Sequence, residues 1–248
     1  MDGTFPENDI SHIVAADKAH VWHHLSQHKG YETADPRIIV EGRGMKVWDQ
    51  SGKEFLDAVS GAVWTVNVGY GRERIADAVR DQILKMNYFA GAMGTVPGAV
   101  FAEMLIDKMP GMSRVYYCNS GSEANEKAFK MVRQIAHKKY GGTKHKILYR
   151  DRDYHGTTIG ALSAGGQDER NAQYGPFAPD FIRVPHCMEY RKHELGLEHL
   201  SGEEFGIAAA NLIEEVILRE GPDTIGALCL EPVTAGGGVI EAPEGYWP

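Results

Sequence analysis

The sequence predicts an α/β fold in which a mostly parallel sheet is covered by helices on both faces. Beyond residue 110, short apolar runs alternate with longer amphipathic runs in units of roughly 30 residues, which is typical of repeated βα units. The short run Thr224–Leu230 is apolar almost throughout, as expected of a strand with helices on both sides. A chain of 248 residues, 43 % hydrophobic and 24 % charged, is long enough to bury such a core.

The first 70 residues have a different pattern. Helical periodicity predicts a helix over Ile13–His28, with Ser11 at its start and Gly30 after its end. Three short runs separated by turns then predict a small antiparallel meander. Its strands are expected at Arg37–Glu41, Met45–Asp49 and Lys53–Asp57.

Histidines 20, 24 and 28 would share one face of this first helix, a spacing that can hold a metal ion. No acidic or cysteine ligand accompanies them and HExxH is absent, so we predict no metal site here. Trp22, on the same helix, is expected to pack inward. The glycine-rich, aromatic stretch Ser60–Gly71 is unusually apolar for a loop, and we expect it to line a cavity or meet a partner chain.

From residue 71 onward the periodicity predicts alternating helices and strands. Helices are predicted at Arg72–Met86, Pro97–Lys108, Glu123–Tyr140, Thr157–Ala164 and Glu203–Glu220. Strands are predicted at Arg114–Cys118, Lys146–Tyr149, Phe181–Val184 and Thr224–Leu230.

The composition argues against several classes of function. The formal net charge of −8, from 34 acidic and 26 basic residues, disfavours nucleic acid or an anionic membrane as the main partner. No run of about 18 apolar residues could span a bilayer, and residues 1–7 lack the features of a signal peptide. Three isolated cysteines form neither a disulfide framework nor a zinc site, which predicts a cytoplasmic protein. Because the chain stops on a loop after a strand-like run, we expect it to be a fragment of a longer protein.

The stretch Asn119–Asn125 joins a predicted strand to a long predicted helix. The first turn of a helix has backbone N–H groups without internal acceptors, and the helix dipole adds partial positive charge there. Anions, phosphates above all, bind at such places. Ser120 and Glu123 also fit a capping box, in which each side chain satisfies the other residue's backbone N–H. On this stretch alone, helix capping and phosphate binding both stay open.

Three groups of residues follow three of the predicted strands: Ser120–Ser122, Asp153–Gly156 and Glu231–Val233. In a parallel sheet the ligand lies outside the carboxyl ends of the strands, so these groups should meet at one edge. A phosphate cradle, an aromatic plane and a carboxylate together suit a flat, phosphorylated heteroaromatic cofactor, and neither Walker A nor GxGxxG is present. Each residue also has a plainer interpretation, since Tyr154 and His155 can be packed side chains and Glu231 can end a strand. Their convergence favours the site.

With these motifs the sequence resembles the class III (omega) aminotransferases, which depend on pyridoxal 5′-phosphate (PLP). The resemblance rests on Asn119–Asn125, Tyr154–Gly156, Glu231–Val233, Ala235–Val239 and Val63–Gly71, in the family's order. It implies fold type I, the aspartate-aminotransferase-like architecture of PLP enzymes. Residues 1–70, the N-terminal helix and meander, would then begin a small α+β domain. Residues 71–248 would form an incomplete large PLP-binding domain, with the C-terminal half absent.

The resemblance also implies roles for individual residues. The cofactor-binding residues that it implies are Ser120, Gly121, Ser122, Tyr154, His155 and Glu231. Among them, Gly121 and Ser122 would hold the PLP phosphate and Ser120 would shape the turn. Tyr154 would stack on the pyridine ring, and Glu231 would lie beside the ring and orient its polar substituents.

On the substrate side, Trp64 would line the amino-donor pocket, and Trp22 is assigned to the substrate with it. Many family members carry Trp-x-Pro-aromatic where this chain has Trp22-His23-His24-Leu25, a departure that is compatible with a specialised substrate. Four arginines are open candidates for an anionic substrate group: Arg43, Arg150, Arg152 and Arg170. The lysine that binds the cofactor and the aspartate at its pyridine nitrogen would lie beyond Pro248. The catalytic residues are therefore unknown, and the chain 1–248 alone is predicted to be inactive.

The activity that the resemblance implies is transamination between a small-molecule amino donor and a keto acid by a ping-pong mechanism. A homodimer or a dimer of dimers is expected, with the loop Tyr88–Thr95 near the neighbouring subunit's site. Within the family, the sequence is most similar to members that pass the amino group of taurine to pyruvate. The open alternatives are another omega-amino donor such as 4-aminobutyrate or a diamine, a decarboxylase or mutase, and an inert fragment that only binds PLP or dimerises.

Overall fold

A computed structural model describes residues 9–24, 26–89 and 92–248. The N-terminal residues 1–7, in which we predict no signal peptide, lie outside the described residues, as do two positions of the predicted loop Tyr88–Thr95. The chain divides into two compact units, one ending at Glu103 and the other beginning at Met104. Each is described separately, and the predicted domain boundary after residue 70 stays a prediction.

The first unit contains the predicted meander. Its elements are α1 (Ile10–His20), β1 (Ile39–Arg43), β2 (Lys46–Asp49), β3 (Glu54–Leu56) and α2 (Glu73–Lys85), and α3 (Val96–Asp107) follows. The strands pair antiparallel in the order β1-β2-β3. The turn between β2 and β3 is fixed by Asp49, whose Oδ1 accepts the backbone N–H groups of Ser51 at 2.9 Å and Lys53 at 3.1 Å.

The first helix is shorter than predicted. It begins after Asp9, which accepts the N–H of His12 at 3.0 Å, and it ends at His20, eight residues before the predicted His28. Val21 is extended, and in the segment that follows the ring of His28 accepts the backbone N–H of His23 at 2.9 Å. Such side-chain bonds to backbone compete with helix formation. The three histidines therefore share no helical face.

The prediction that Trp22 packs inward is also wrong. Trp22 lies on the extended segment after α1 and its side chain is 89 % exposed. It makes an edge contact with the ring of His28, with 5.9 Å between the ring centroids.

The second unit is built on a three-stranded parallel sheet in the order β5-β4-β6. Its elements are α4 (Gly121–Tyr140), β4 (Lys146–Arg150), α5 (Ile159–Ser163), α6 (Asp168–Asn171), β5 (Phe181–Val184), α7 (Gly202–Glu220), β6 (Ile225–Cys229), β7 (Val233–Thr234) and β8 (Ile240–Glu241). Short 3-10 segments occupy His28–Glu32 in the first unit and Glu189–Leu195 and Pro222–Thr224 here. No helix of the described residues is long and apolar enough to cross a membrane.

Helices cover both faces of this sheet, as predicted. Successive residues of a strand point to opposite faces, and in β4 both Ile147 and Leu148 are completely buried. Leu148 belongs to a core with Phe205 of α7, whereas Ile147 packs in a separate core with Phe129 of α4. Each face therefore has its own apolar layer, and the carboxyl ends of β4 and β6 point the same way.

The predicted strand Arg114–Cys118 is wrong for the described chain, because that segment joins none of its sheets. Its residues have strand character, but a strand also needs a neighbour for its backbone hydrogen bonds. The described sheet ends at β5 on one side and β6 on the other, and neither pairs with this segment.

Candidate functional site

The amino end of α4 combines a helix cap with free backbone donors. The hydroxyl of Ser120 accepts the N–H of Glu123 at 3.2 Å, and the carboxylate of Glu123 accepts the N–H of Asn119 at 2.8 Å. Among the described residues, the N–H groups of Gly121 and Ser122 have no hydrogen-bond acceptor, and space is open beside Gly121. The 20-residue helix adds its dipole at this point. Capping and anion binding are thus compatible here.

The loop after β4 is attached directly to this helix start. The hydroxyl of Ser122 accepts the N–H of Thr157 at 3.0 Å, and the side-chain amide of Asn125 donates to the carbonyl of His155 at 2.5 Å. Gly156 has a φ of 137°, and a Cβ on it would collide with Ser122. Glycine at this position is what allows the two segments to approach so closely.

Glu231 attaches the loop after β6 to the loop after β4. One carboxylate oxygen accepts the N–H of Tyr154 at 2.8 Å, and the other accepts the N–H of Ala235 at 3.3 Å. Burial raises the pKa of Glu231, and the two backbone hydrogen bonds oppose that rise. The structure therefore brings Ser122, Tyr154 and Glu231 together at one edge of the sheet, while the predicted contact of Glu231 with a cofactor ring stays a prediction.

A buried ion pair lies beneath these loops. Arg150 is 1 % exposed and Asp153 is fully buried, with 3.0 Å between Arg150 Nη2 and Asp153 Oδ1. The same guanidinium donates to the carbonyl of Glu231 at 2.6 Å, and Asp153 accepts the N–H of Glu231 at 2.8 Å and the hydroxyl of Thr234. Arg150 is therefore enclosed rather than available to a substrate anion. The sequence showed Arg150 and Asp153 three residues apart, but nothing local revealed that they cross-link two loops.

His155 lies in the interior, 6 % exposed, beside the end of β6. Its Nδ1 is 3.6 Å from the sulfur of Cys229, and its Nε2 is buried with no hydrogen-bond partner among the described residues. Burial lowers the pKa of His155. Burial, followed by the negative charges of Asp153 and Glu231, raises the pKa of Cys229 to about 11, so its thiol stays protonated at neutral pH.

The two tryptophans assigned to the substrate are both in the first unit, and their roles stay predictions. Trp64 is 55 % exposed at the end of the turn Ser60–Trp64, in which Ser60, Ala62 and Trp64 all have positive φ. Non-glycine residues rarely adopt this conformation. The carboxylate of Asp57 holds the turn by accepting the N–H of Gly61 and the hydroxyl of Tyr70, each at 2.7 Å.

The strand-end loops, the capped helix and the two-sided parallel sheet together define a class of protein. The family model "Aminotransferase class-III" matches residues 27–248, and the chain belongs to that family. Proteins of this family depend on PLP and have fold type I, which confirms the predicted cofactor and fold class.

Two curated relatives are similar to this chain over nearly its whole length. A hypotaurine/taurine–pyruvate aminotransferase of Paracoccus denitrificans is 71 % identical over 240 residues, which cover 97 % of this chain and 51 % of that protein. A taurine–pyruvate aminotransferase of Rhodobacter capsulatus is 64 % identical, over 96 % of this chain and 51 % of the relative. The chain thus spans about half the length of the curated relatives it matches.

The crystal structure of an (S)-enantioselective omega-transaminase from Thermomicrobium roseum has the same architecture. The TM-score is 0.89 at 36 % identity, over 96 % of this chain and 52 % of that one.

The residues at the sheet edge fit the phosphate and the ring of PLP. Gly121 and Ser122 offer two backbone N–H groups without acceptors beside open space, and Ser122 adds a hydroxyl whose proton is available. Tyr154 supplies an aromatic plane, and its backbone is fixed by Glu231. The unpartnered Nε2 of His155 is a further polar group of this site that the described residues leave unsatisfied.

Proposed function

We propose that this protein, at the full length of its relatives, transfers the amino group of taurine to pyruvate with PLP as cofactor, by a ping-pong mechanism. The proposal rests mainly on one observation: at a single sheet edge, the loop after β4 is hydrogen-bonded through Thr157 to Ser122 and through Tyr154 to Glu231. The identity of 71 % to a relative named for taurine and pyruvate supports the choice of substrates.

In this proposal each residue has a separable task. PLP would supply the aldehyde carbon that accepts the amino group and the conjugated ring that accepts the electron pair left when the donor loses its C–H proton. The N–H groups of Gly121 and Ser122 bind the phosphate dianion, aided by the dipole of α4. Tyr154 lies against one face of the ring, and Glu231 fixes the position of Tyr154. Trp64 lines the amino-donor pocket, and Trp22 is assigned to the substrate with it.

The test compares the full reaction with one half-reaction on the PLP-loaded protein at the full length of its relatives. Taurine with pyruvate should give alanine and sulfoacetaldehyde with repeated turnover. Taurine without pyruvate should give at most about one equivalent of the aldehyde per site, because a ping-pong enzyme must unload the amino group before the next cycle. More than one equivalent without an acceptor would overturn the mechanism.

The same assay separates the alternatives. If 4-aminobutyrate or a diamine is a better donor than taurine, the family assignment stands and the donor is wrong. If no amine reacts but PLP still binds, the protein is an inert PLP-binding scaffold. We also propose that the chain 1–248 by itself does not turn over, because it spans about half of its relatives.

We further propose that the full-length protein is a homodimer or a dimer of dimers in the cytoplasm. The apolar side chains of α2 support the oligomer, because Ile75, Val79 and Ile83 are each at least half exposed and follow one another at helical spacing. Size-exclusion chromatography with light scattering on the full-length protein tests it, and a monomer at micromolar concentration would contradict it.

A further inference from the structure

Arg170 lies beside the proposed cofactor plane. It belongs to α6, is half-buried, and its guanidinium carbon is 5.4 Å from the ring centroid of Tyr154. The turn after β7 also approaches it, because a Cβ built on Gly236 would lie 3.8 Å from Arg170 Nη2 and 3.9 Å from Tyr154 Cβ. The charge of Arg170 is therefore held within a few ångströms of a ring that the proposed function places against PLP.

The carboxylates next to Arg170 in the sequence are already engaged elsewhere. Asp168 accepts from Arg183, with 3.1 Å between Nη1 and Oδ2, and Glu169 accepts from Arg152 with both oxygens at 3.1 Å. Among the described residues, no acid lies within ion-pair distance of Arg170. The charge of Arg170 still acts on Glu169 and helps to lower the pKa of that carboxylate, but among the described residues no carboxylate is bonded to the guanidinium itself. An incoming anion would therefore be its first charged hydrogen-bond partner.

Two of the other three candidate arginines are already engaged, and the third is exposed in the first unit. Arg150 is enclosed in its pair with Asp153. Arg152 is bound to Glu169 and to the carbonyl of Gly237. Arg43 belongs to the first unit, where its guanidinium is 3.7 Å from the carboxylate of Glu41.

The chemistry of this corner suits an anion with two or three oxygens. A guanidinium presents a planar fork of donors that matches a carboxylate or sulfonate, and it stays charged at every physiological pH. Gln167 adjoins the same turn, since its Nε2 would lie 3.3 Å from a Cβ on Gly236, and its buried Oε1 has no partner among the described residues. The corner therefore contains polar groups that a ligand or a water molecule would complete.

We propose that Arg170 binds the anionic end of the amino donor, a sulfonate or carboxylate, and so selects omega-amino acids over simple amines. This inference rests on the proposed function, because it assumes that Tyr154 faces the cofactor. Taurine carries such an anion two carbons from its amino group, and propylamine has a similar length without the charge.

The experiment compares Arg170→Ala and Arg170→Lys in the full-length, PLP-loaded protein. Arg191→Ala, which removes an exposed arginine paired with Glu194, is the matched control for the change in net charge. Ethanesulfonate, which has no amine and cannot react, is added in a thermal-shift assay, and KM is measured for taurine and for propylamine.

We expect ethanesulfonate to raise the melting temperature of the parent and of Arg191→Ala, to do so weakly for Arg170→Lys, and to have no effect on Arg170→Ala. The ratio of the KM for taurine to the KM for propylamine should rise about 10- to 100-fold in Arg170→Ala, as for a lost charge-assisted hydrogen bond. An unchanged ratio, or a full thermal shift in Arg170→Ala, would overturn the assignment.

Two further outcomes separate this inference from the proposed function. If neither amine reacts but the ethanesulfonate shift still requires Arg170, the anion site stands and transamination fails. If Arg170→Ala instead weakens PLP binding and leaves the KM ratio unchanged, Arg170 only supports Tyr154 and the inference fails.

Discussion

Replacing Asp153 by alanine removes the acceptor of four hydrogen bonds, two from Arg150 and one each from Thr234 and Glu231. Because both charges of the pair are buried, the change leaves the guanidinium of Arg150 in the interior without its counterion. Breaking one partner out of a buried pair costs about 3–5 kcal/mol. That is a large part of the roughly 5–15 kcal/mol by which a domain is normally stable.

Urea unfolding measures this loss. With an m-value of about 2 kcal/mol/M, the expected cost lowers the midpoint by roughly 1.5–2.5 M. Trp247 is a suitable fluorescence probe, because its ring lies against Tyr246 and within 5.8 Å of the Arg150 guanidinium. The other three tryptophans lie in the first unit and can be replaced by phenylalanine to isolate this signal.

Two further variants test whether the buried pair of Arg150 and Asp153 accounts for this loss of stability. Asp168→Ala removes an ion pair whose carboxylate is 76 % exposed, and a pair of that kind is worth about 0–1 kcal/mol. The double variant Arg150→Met with Asp153→Leu should be more stable than Asp153→Ala, because no unpaired charge stays buried. If Asp153→Ala costs no more than Asp168→Ala, the buried pair is not what holds the two loops.

Two other predictions concern single side chains. Burial lowers the pKa of His155 below its ordinary 6.5. As the pH falls below 6.5, the imidazole of His155 therefore takes up a proton in the unfolded chain before it does so in the folded protein, and the free energy of unfolding declines. His155→Asn should make the decline shallower by up to about 1.4 kcal/mol per pH unit in urea titrations, whereas exposed His199→Asn should not; equal slopes would contradict this. Tyr70→Phe removes the hydroxyl that, more than any other group, holds the pKa of Asp57 below its ordinary value. NMR should therefore show a higher pKa for Asp57 and faster amide exchange at Gly61, and unchanged exchange would show that the turn does not depend on Tyr70.

Much of the local structure followed from the sequence because it depends on neighbours along the chain. The meander was predicted from turn residues, and the structure pairs its strands in the predicted order. The helix after Ser120 was predicted from its periodicity and ends at Tyr140 as expected, before the left-handed Gly141. The start of that helix was also predicted as an anion site; among the described residues its first two N–H groups have no hydrogen-bond acceptor, and the site stays a prediction.

The errors arose where residues far apart in the sequence determine the local structure. The helix predicted to His28 ends at His20, and the residues beyond it bond to the rings of histidines instead. The run Arg114–Cys118 has strand composition but lacks a pairing partner in the described sheet. Arg150 looked as eligible for a substrate anion as Arg170, because the side-chain chemistry is the same for both; only the fold shows that Arg150 is buried in a pair with Asp153.

The sequence by itself determined the class of protein, the kinds of element and the motifs at the strand ends, since periodicity, caps and motif residues are all written in short stretches. Only the tertiary structure decided how those motifs are joined. The hydrogen bonds of Ser122 to Thr157 and of Glu231 to Tyr154 span 35 and 77 residues of chain. Such contacts depend on how α4, β4 and β6 pack against one another, and a local pattern carries no information about that.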